Sequence, residues 1–98
     1  MSVKAKTIIV LCKIIFGLCA LNFAAFWLIA VYLGGDALSG GIRDGRYLLM
    51  SHGVYTEVSR EVFEYSRLHA QSIEFTHPVA FATAALVMYI QNRALPKP

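Results

Sequence analysis

Three histidines, His52, His69 and His77, carry the chain's best prospect of chemistry beyond contact. On an unbroken helix His69 and His77 stand about two turns apart, with Glu74 between them. With His52 they would supply three ligands to zinc, and a pair of imidazoles would also serve as axial haem ligands. The pattern is thin. Neither HExxH nor a paired CxxC accompanies it, and Pro78 interrupts the helical spacing. A second reading makes each imidazole structural. In it His52 ends a turn before Gly53, His69 is a partly buried hydrogen-bonding group, and His77 caps a helix. The second reading is the expectation. No metal or cofactor is expected, and the three histidines stand only as candidates for a metal site.

The other reactive types lack a supporting constellation. Ser51, Ser59, Ser66 and Ser72 lie near histidines or acids, but no GxSxG elbow or SxxK pair is present. Cys12 and Cys19 would stand about 10 Å apart along one helix, too far for a disulfide. Glu61 and Glu64 fall on a charged helical face, as solvated carboxylates do. There is no phosphate-cradling glycine loop and no dense basic patch with interleaved aromatics, which argues against nucleic acid. The chain is not expected to be an enzyme.

The elements that must position these residues follow from an excess of apolar side chain. The 98 residues are 57% hydrophobic and 15% charged, against about 25% charged in an ordinary soluble domain. A soluble chain this short buries only roughly 60–70% of its unfolded surface, too little to hide so much apolar material, so lipid is the expected solvent. From Ile14 to Leu33 there is one polar amide, Asn22, and no charge. A spanning helix needs about 20 such residues. A cleaved signal peptide competes, but its core usually runs about 7–15 residues, and no A-x-A site follows here. An uncleaved anchor over 14–33 is expected. The second apolar run, 75–91, is short and rich in alanine. Its 16 residues from Phe75 to Ile90 would make roughly 24 Å of helix against a hydrocarbon core of about 30 Å. Such a helix suits packing on a neighbour. Gly17, Ala20 and Ala24 on the first span, and Ala80 and Ala84 on the second, recur at the spacing that lets helices approach closely. Asn22 is the expected polar contact inside the membrane. Lys13 is expected at the cytoplasmic edge, its stem snorkelling to the headgroups.

Topology follows from the basic residues. Lys4, Lys6 and Lys13 precede the first span, and Arg93 and Lys97 follow the second. The connector holds four arginines diluted by six acids. The positive-inside rule places both termini in the cytoplasm and the connector outside, with Trp27, Tyr32 and Tyr89 as interfacial anchors.

Within the connector, "GGDALSGG" reads as a flexible link and Asp44-Gly45 as a hairpin turn. "RYLLMSH" could be a short strand, although Gly40 and Gly41 would weaken its partner. From residue 57 the pattern becomes helical. Val58, Val62, Tyr65, His69 and Ile73 fall on one face, and Arg60, Glu64, Arg67, Gln71 and Glu74 on the other. Thr56 or Ser59 would cap this helix, and Arg60 with Glu64 would form an i,i+4 pair. The apolar face must lie on the membrane interface, on residues 47–55 or on another protein. His77 is pushed away from helical angles by Pro78, which suits the first turn of a new helix.

The expected fold is an all-α membrane protein: a helical hairpin of transmembrane helices 14–33 and 75–91, with an amphipathic helix over 57–74. A loop over 34–56, irregular or a short β-hairpin, completes the extracytoplasmic connector. Basic tails 1–13 and 92–98 lie in the cytoplasm. The expected location is a bacterial inner membrane, multi-pass. The expected function is contact: an accessory, regulatory or immunity-type factor, bound to membrane lipid and to a larger membrane protein or a second copy. Val58, Val62, Tyr65, His69 and Ile73 are the expected partner-binding face. Two alternatives are a holin-like pore former and a histidine-based metal- or haem-binding membrane component.

Overall fold

Two long helices enclose a three-stranded sheet in the chain order of a computed structural model that describes residues 1–94. The last four residues of the expected 92–98 tail, Lys97 among them, therefore lie outside the described residues. The elements are α1 (Val3–Leu33), β1 (Asp36–Arg43), β2 (Arg46–Ser51), β3 (Val54–Val58) and α2 (Arg60–Ala94). Both helices are long and apolar enough to cross a membrane.

Helix α1 starts well before the run that begins at Ile14. Ser2 caps it: its Oγ accepts from the Ala5 N–H at 3.1 Å. The stretch "TIIVLC" ahead of Lys13 is thus helical too, and the 31 residues extend about 46 Å. The helix closes at Gly34. The N–H groups of Gly34 and Gly35 both donate to the Ala30 carbonyl, at 3.0 and 2.8 Å, which satisfies one carbonyl at the helix end.

Of the two forms expected for 34–56, irregular or a short β-hairpin, the segment takes the second and extends it: it is an antiparallel meander in the order β1-β2-β3, so the chain is not all-α. Asp44 and Gly45 both have positive φ, as do His52 and Gly53. Two residues with that geometry make the type I′ turn that matches strand twist. Tyr47 pairs with Ile42 on one side and Val58 on the other. Gly40 does not weaken β1 but permits it. A Cβ there would collide with the Leu48 carbonyl oxygen, so only glycine allows the strands to approach so closely. The register shifts between Asp36 and Gly41. Ser39 spans part of that irregularity by donating its N–H and Oγ–H to the Asp36 carboxylate at 2.9 and 3.0 Å.

Helix α2 corrects two boundaries. The amphipathic helix does not start at 57, because Val58 ends β3 and Ser59 is the cap, accepting from the Val62 N–H at 3.2 Å. Nor does a new helix begin near Pro78: one helix of 35 residues contains that proline. Proline removes a single N–H to the carbonyl four residues earlier, a loss that long apolar helices tolerate. The expected Arg60–Glu64 pair is replaced by Glu64–Arg67, in which Glu64 Oε2 accepts from Nε at 3.1 Å and Nη2 at 2.5 Å.

The chain divides into two compact units, one joining residues 1–22 with the chain from Phe75 onward, the other comprising Phe23–Glu74. In the first, α1 buries Ile9, Cys12 and Cys19, while Thr76, Ala80, Thr83, Ala84, Val87 and Ile90 of α2 are half-buried. These positions recur at helical intervals of three, four and seven. Many of the other apolar side chains point outward, among them Leu11, Leu18, Leu21, Phe81 and Met88. In the second unit the core is Ala37, Leu49 and Phe63, with Leu33, Tyr47, Val58 and Val62 packed against it. Phe63 meets Tyr47 at a ring separation of 5.5 Å. Buried Ser66 accepts from the Ala37 N–H at 2.9 Å, which supplies a partner where the register of β1 is broken.

Candidate functional site

The histidines come to three different settings. His52 takes the first central position of the β2–β3 turn at φ 51, exposed, with its Nδ1 3.0 Å from Ser51 Oγ. His69 is half-buried on α2. Its Nδ1 shares a 2.8 Å hydrogen bond with the Tyr65 hydroxyl, and its ring meets Phe26 edge-on at 5.3 Å. His77 is half-buried inside α2 and meets Phe81 edge-on at 6.3 Å, so it does not cap a helix. Among the described residues, no group of three or more His, Cys, Asp or Glu side chains is placed to hold a metal ion. The metal candidates are therefore not brought together. Cys12 and Cys19 are both free and buried.

The face expected to meet a partner is divided. Val58 and Val62 pack on the core of their own unit, while Tyr65, Ser66 and His69 line a small cavity with Phe26, Ile29, Ala30 and Leu33 of α1, so the amphipathic part of α2 lies partly on the sheet and partly on α1. The fully buried stripe is Phe63, Ser66 and Ala70, about one residue, or 100°, around from the expected line. Tyr65 is 44% exposed, and Ile73 is half-buried. The unit leaves Leu38, Ile42, Val54, Tyr55 and Leu68 exposed. Tyr55 is held in place by Arg43, which stacks 5.0 Å from its ring centre and donates Nη2–H to its hydroxyl at 3.2 Å. Tyrosine and arginine are enriched among the anchors of protein contacts. The cavity among Phe26, Ile29, Ala30, Leu33, Tyr65, Ser66 and His69 measures about 10 Å³, room for one water at most.

The helix-packing residues also divide. Ala80 and Ala84 are half-buried, as expected for a packed face, but Gly17, Ala20 and Ala24 are exposed, and a Cβ on Gly17 would meet nothing within 4 Å. The face that α1 turns toward α2 is instead that of Cys12 and Cys19. Both are small enough to serve. Asn22 is half-buried and donates Nδ2–H to Thr76 Oγ1 at 3.3 Å. Further toward the other end of this unit, Cys12, Lys13 and Phe16 of α1 and Thr83, Ala84, Val87 and Met88 of α2 line a groove of about 410 Å³. Lys13 is its only ionisable lining residue apart from the Cys12 thiol. Thr83 turns its hydroxyl to the Ala80 carbonyl at 2.9 Å, which leaves the groove otherwise apolar. Sequence reasoning placed Lys13 at the edge of a span and missed the groove, because the register between the helices is a tertiary fact.

Comparison with protein-family models, with curated proteins and with solved structures finds no match for this chain.

Proposed function

We propose that this chain is a two-span integral protein of a bacterial inner membrane that acts by contact, as an accessory, regulatory or immunity-type factor for a larger membrane protein. The observation that carries the membrane part is the apolar window of α2. It lies away from the N-terminus, and none of it is buried inside the structure. A core helix of a soluble protein would be covered, and a signal sequence would come first. Lipid is the remaining solvent for so much exposed apolar surface. The excess of lysine and arginine flanking the spans supports cytoplasmic termini and an external connector.

The contact part rests on the Phe23–Glu74 unit. It is held by its own small core, has a cavity of about 10 Å³ beside Tyr65 and His69, and displays Tyr55, Tyr65, Leu38 and Ile42. Affinity purification from native membranes in mild detergent tests this. A larger membrane protein should accompany the wild type and be lost on Tyr65→Asp, a change outside the core. Undiminished recovery on that variant would remove the α2 face from the interface. The pore-forming alternative gains nothing from Asn22 and Thr76, which hydrogen-bond each other; dye leakage from vesicles bearing the pure protein would favour it.

A further inference from the structure

We propose that the groove beside Lys13 binds an anionic phospholipid, with one acyl chain lying along Phe16, Ala84 and Met88 and the phosphate drawn to the Lys13 ammonium. This rests on the two-span reading. All six acidic side chains of the protein lie between residues 36 and 74. The unit that contains the groove, residues 1–22 with the chain from Phe75 onward, therefore holds Lys4, Lys6, Lys13, Arg93 and Lys97 with no carboxylate side chain to answer them. No acidic side chain of that unit is available to pair with Lys13.

Lys13 is also deeper than its sequence neighbours suggest. It shares the groove with Thr83, Ala84 and Val87, three to seven residues inside Ile90, the end of the apolar run of α2. That is roughly 5–10 Å of helix. A lysine stem can climb that depth and bring its ammonium to the headgroup level, where an anionic phosphate is a ready counter-charge. The groove's 410 Å³ is of the scale of small-ligand sites, and its lining, apolar but for Lys13, the Cys12 thiol and the Thr83 hydroxyl, matches an acyl chain below a charged headgroup. Basic pockets between membrane helices on the cytoplasmic side are suited to anionic headgroups.

The test uses the full chain reconstituted in phosphatidylcholine vesicles containing chain-spin-labelled phosphatidylglycerol or chain-spin-labelled phosphatidylcholine. The readout is the motionally restricted lipid fraction. The wild type should select phosphatidylglycerol. Lys13→Gln should reduce that selectivity roughly fivefold, the effect of one lysine at an anionic surface. Lys13→Arg should retain it, and Ala84→Leu, which fills the groove, should reduce the restricted fraction with helix content unchanged. Selectivity untouched by Lys13→Gln but lost on Lys4→Gln with Lys6→Gln would overturn the proposal in favour of plain surface attraction. Selectivity untouched by Lys13→Gln and by Lys4→Gln with Lys6→Gln alike would overturn it in favour of a lipid site elsewhere on the chain. Protein extracted from the vesicles at alkaline pH would instead sink the two-span reading on which the site depends.

Discussion

Leu49→Ala is the sharpest test of the Phe23–Glu74 unit. Leu49 is fully buried, with 0% of its surface exposed, and is one of three buried core residues beside Ala37 and Phe63. Its removal deletes transfer free energy and leaves a cavity that the sheet, pinned by two tight turns, can only partly close. Buried leucine-to-alanine changes cost about 2–5 kcal/mol. At about 1.4 kcal/mol per factor of ten, the equilibrium for opening this unit should shift between about 30-fold and several-thousand-fold. The assay is amide hydrogen exchange read by mass spectrometry on protein in lipid nanodiscs. Peptides covering β2 and β3 should lose protection by that factor, while peptides from the first two turns after Lys13 in α1 keep theirs, since local opening is regional. Leu49→Met, which conserves volume, should cost less than about 1.5 kcal/mol. Unchanged protection of β2 in the alanine variant would refute the claim that Leu49 holds the sheet to α2. Equal loss everywhere would refute the claim that this unit has a core of its own.

Ser66→Ala should destabilise the same unit by about 1–3 kcal/mol, because the Ala37 N–H loses its buried acceptor; exchange at Ala37 itself reports it. Gly40→Ala should abolish β1 pairing, since a Cβ meets the Leu48 carbonyl, visible as loss of cross-strand amide protection with α1 intact. In a double-mutant cycle of Asn22→Ala and Thr76→Ala, the coupling should be under about 1 kcal/mol, the usual size for such bonds in membranes; additive thermal stabilities would mean that the 3.3 Å bond contributes nothing.

The sequence carried the elements whose signals are local. Two apolar runs marked both helices, Asp44-Gly45 marked the first hairpin, and Ser59 stood as a cap. The misreadings came from conflicts between local patterns. Val58 fits both the helical face of Val62 and the alternation of Val54, Thr56 and Val58. Strand pairing with Tyr47 decided for the strand, and that displaced the helical face by about one residue. Gly40 read as a weakness because its reason, a neighbouring carbonyl, lies on another strand. Pro78 read as a boundary because local sterics argue for one, whereas a 35-residue helix absorbs one missing hydrogen bond. The choice of Cys12 and Cys19 over Gly17, Ala20 and Ala24 as the face toward α2 was not legible from small-residue spacing, which both sets satisfy. Lys13 and its groove depend on how α1 and α2 register, which no single segment encodes.

The central claim is that the chain crosses lipid twice with residues 34–74 outside. Impermeant maleimide labelling of intact cells tests it most directly, with Arg46→Cys at the exposed start of β2 and Asn92→Cys at the exposed end of α2, compared before and after permeabilisation. Cys12 and Cys19 are buried and should give little background. Position 46 should label in intact cells and position 92 only after permeabilisation. Labelling of both positions from the same side would contradict it.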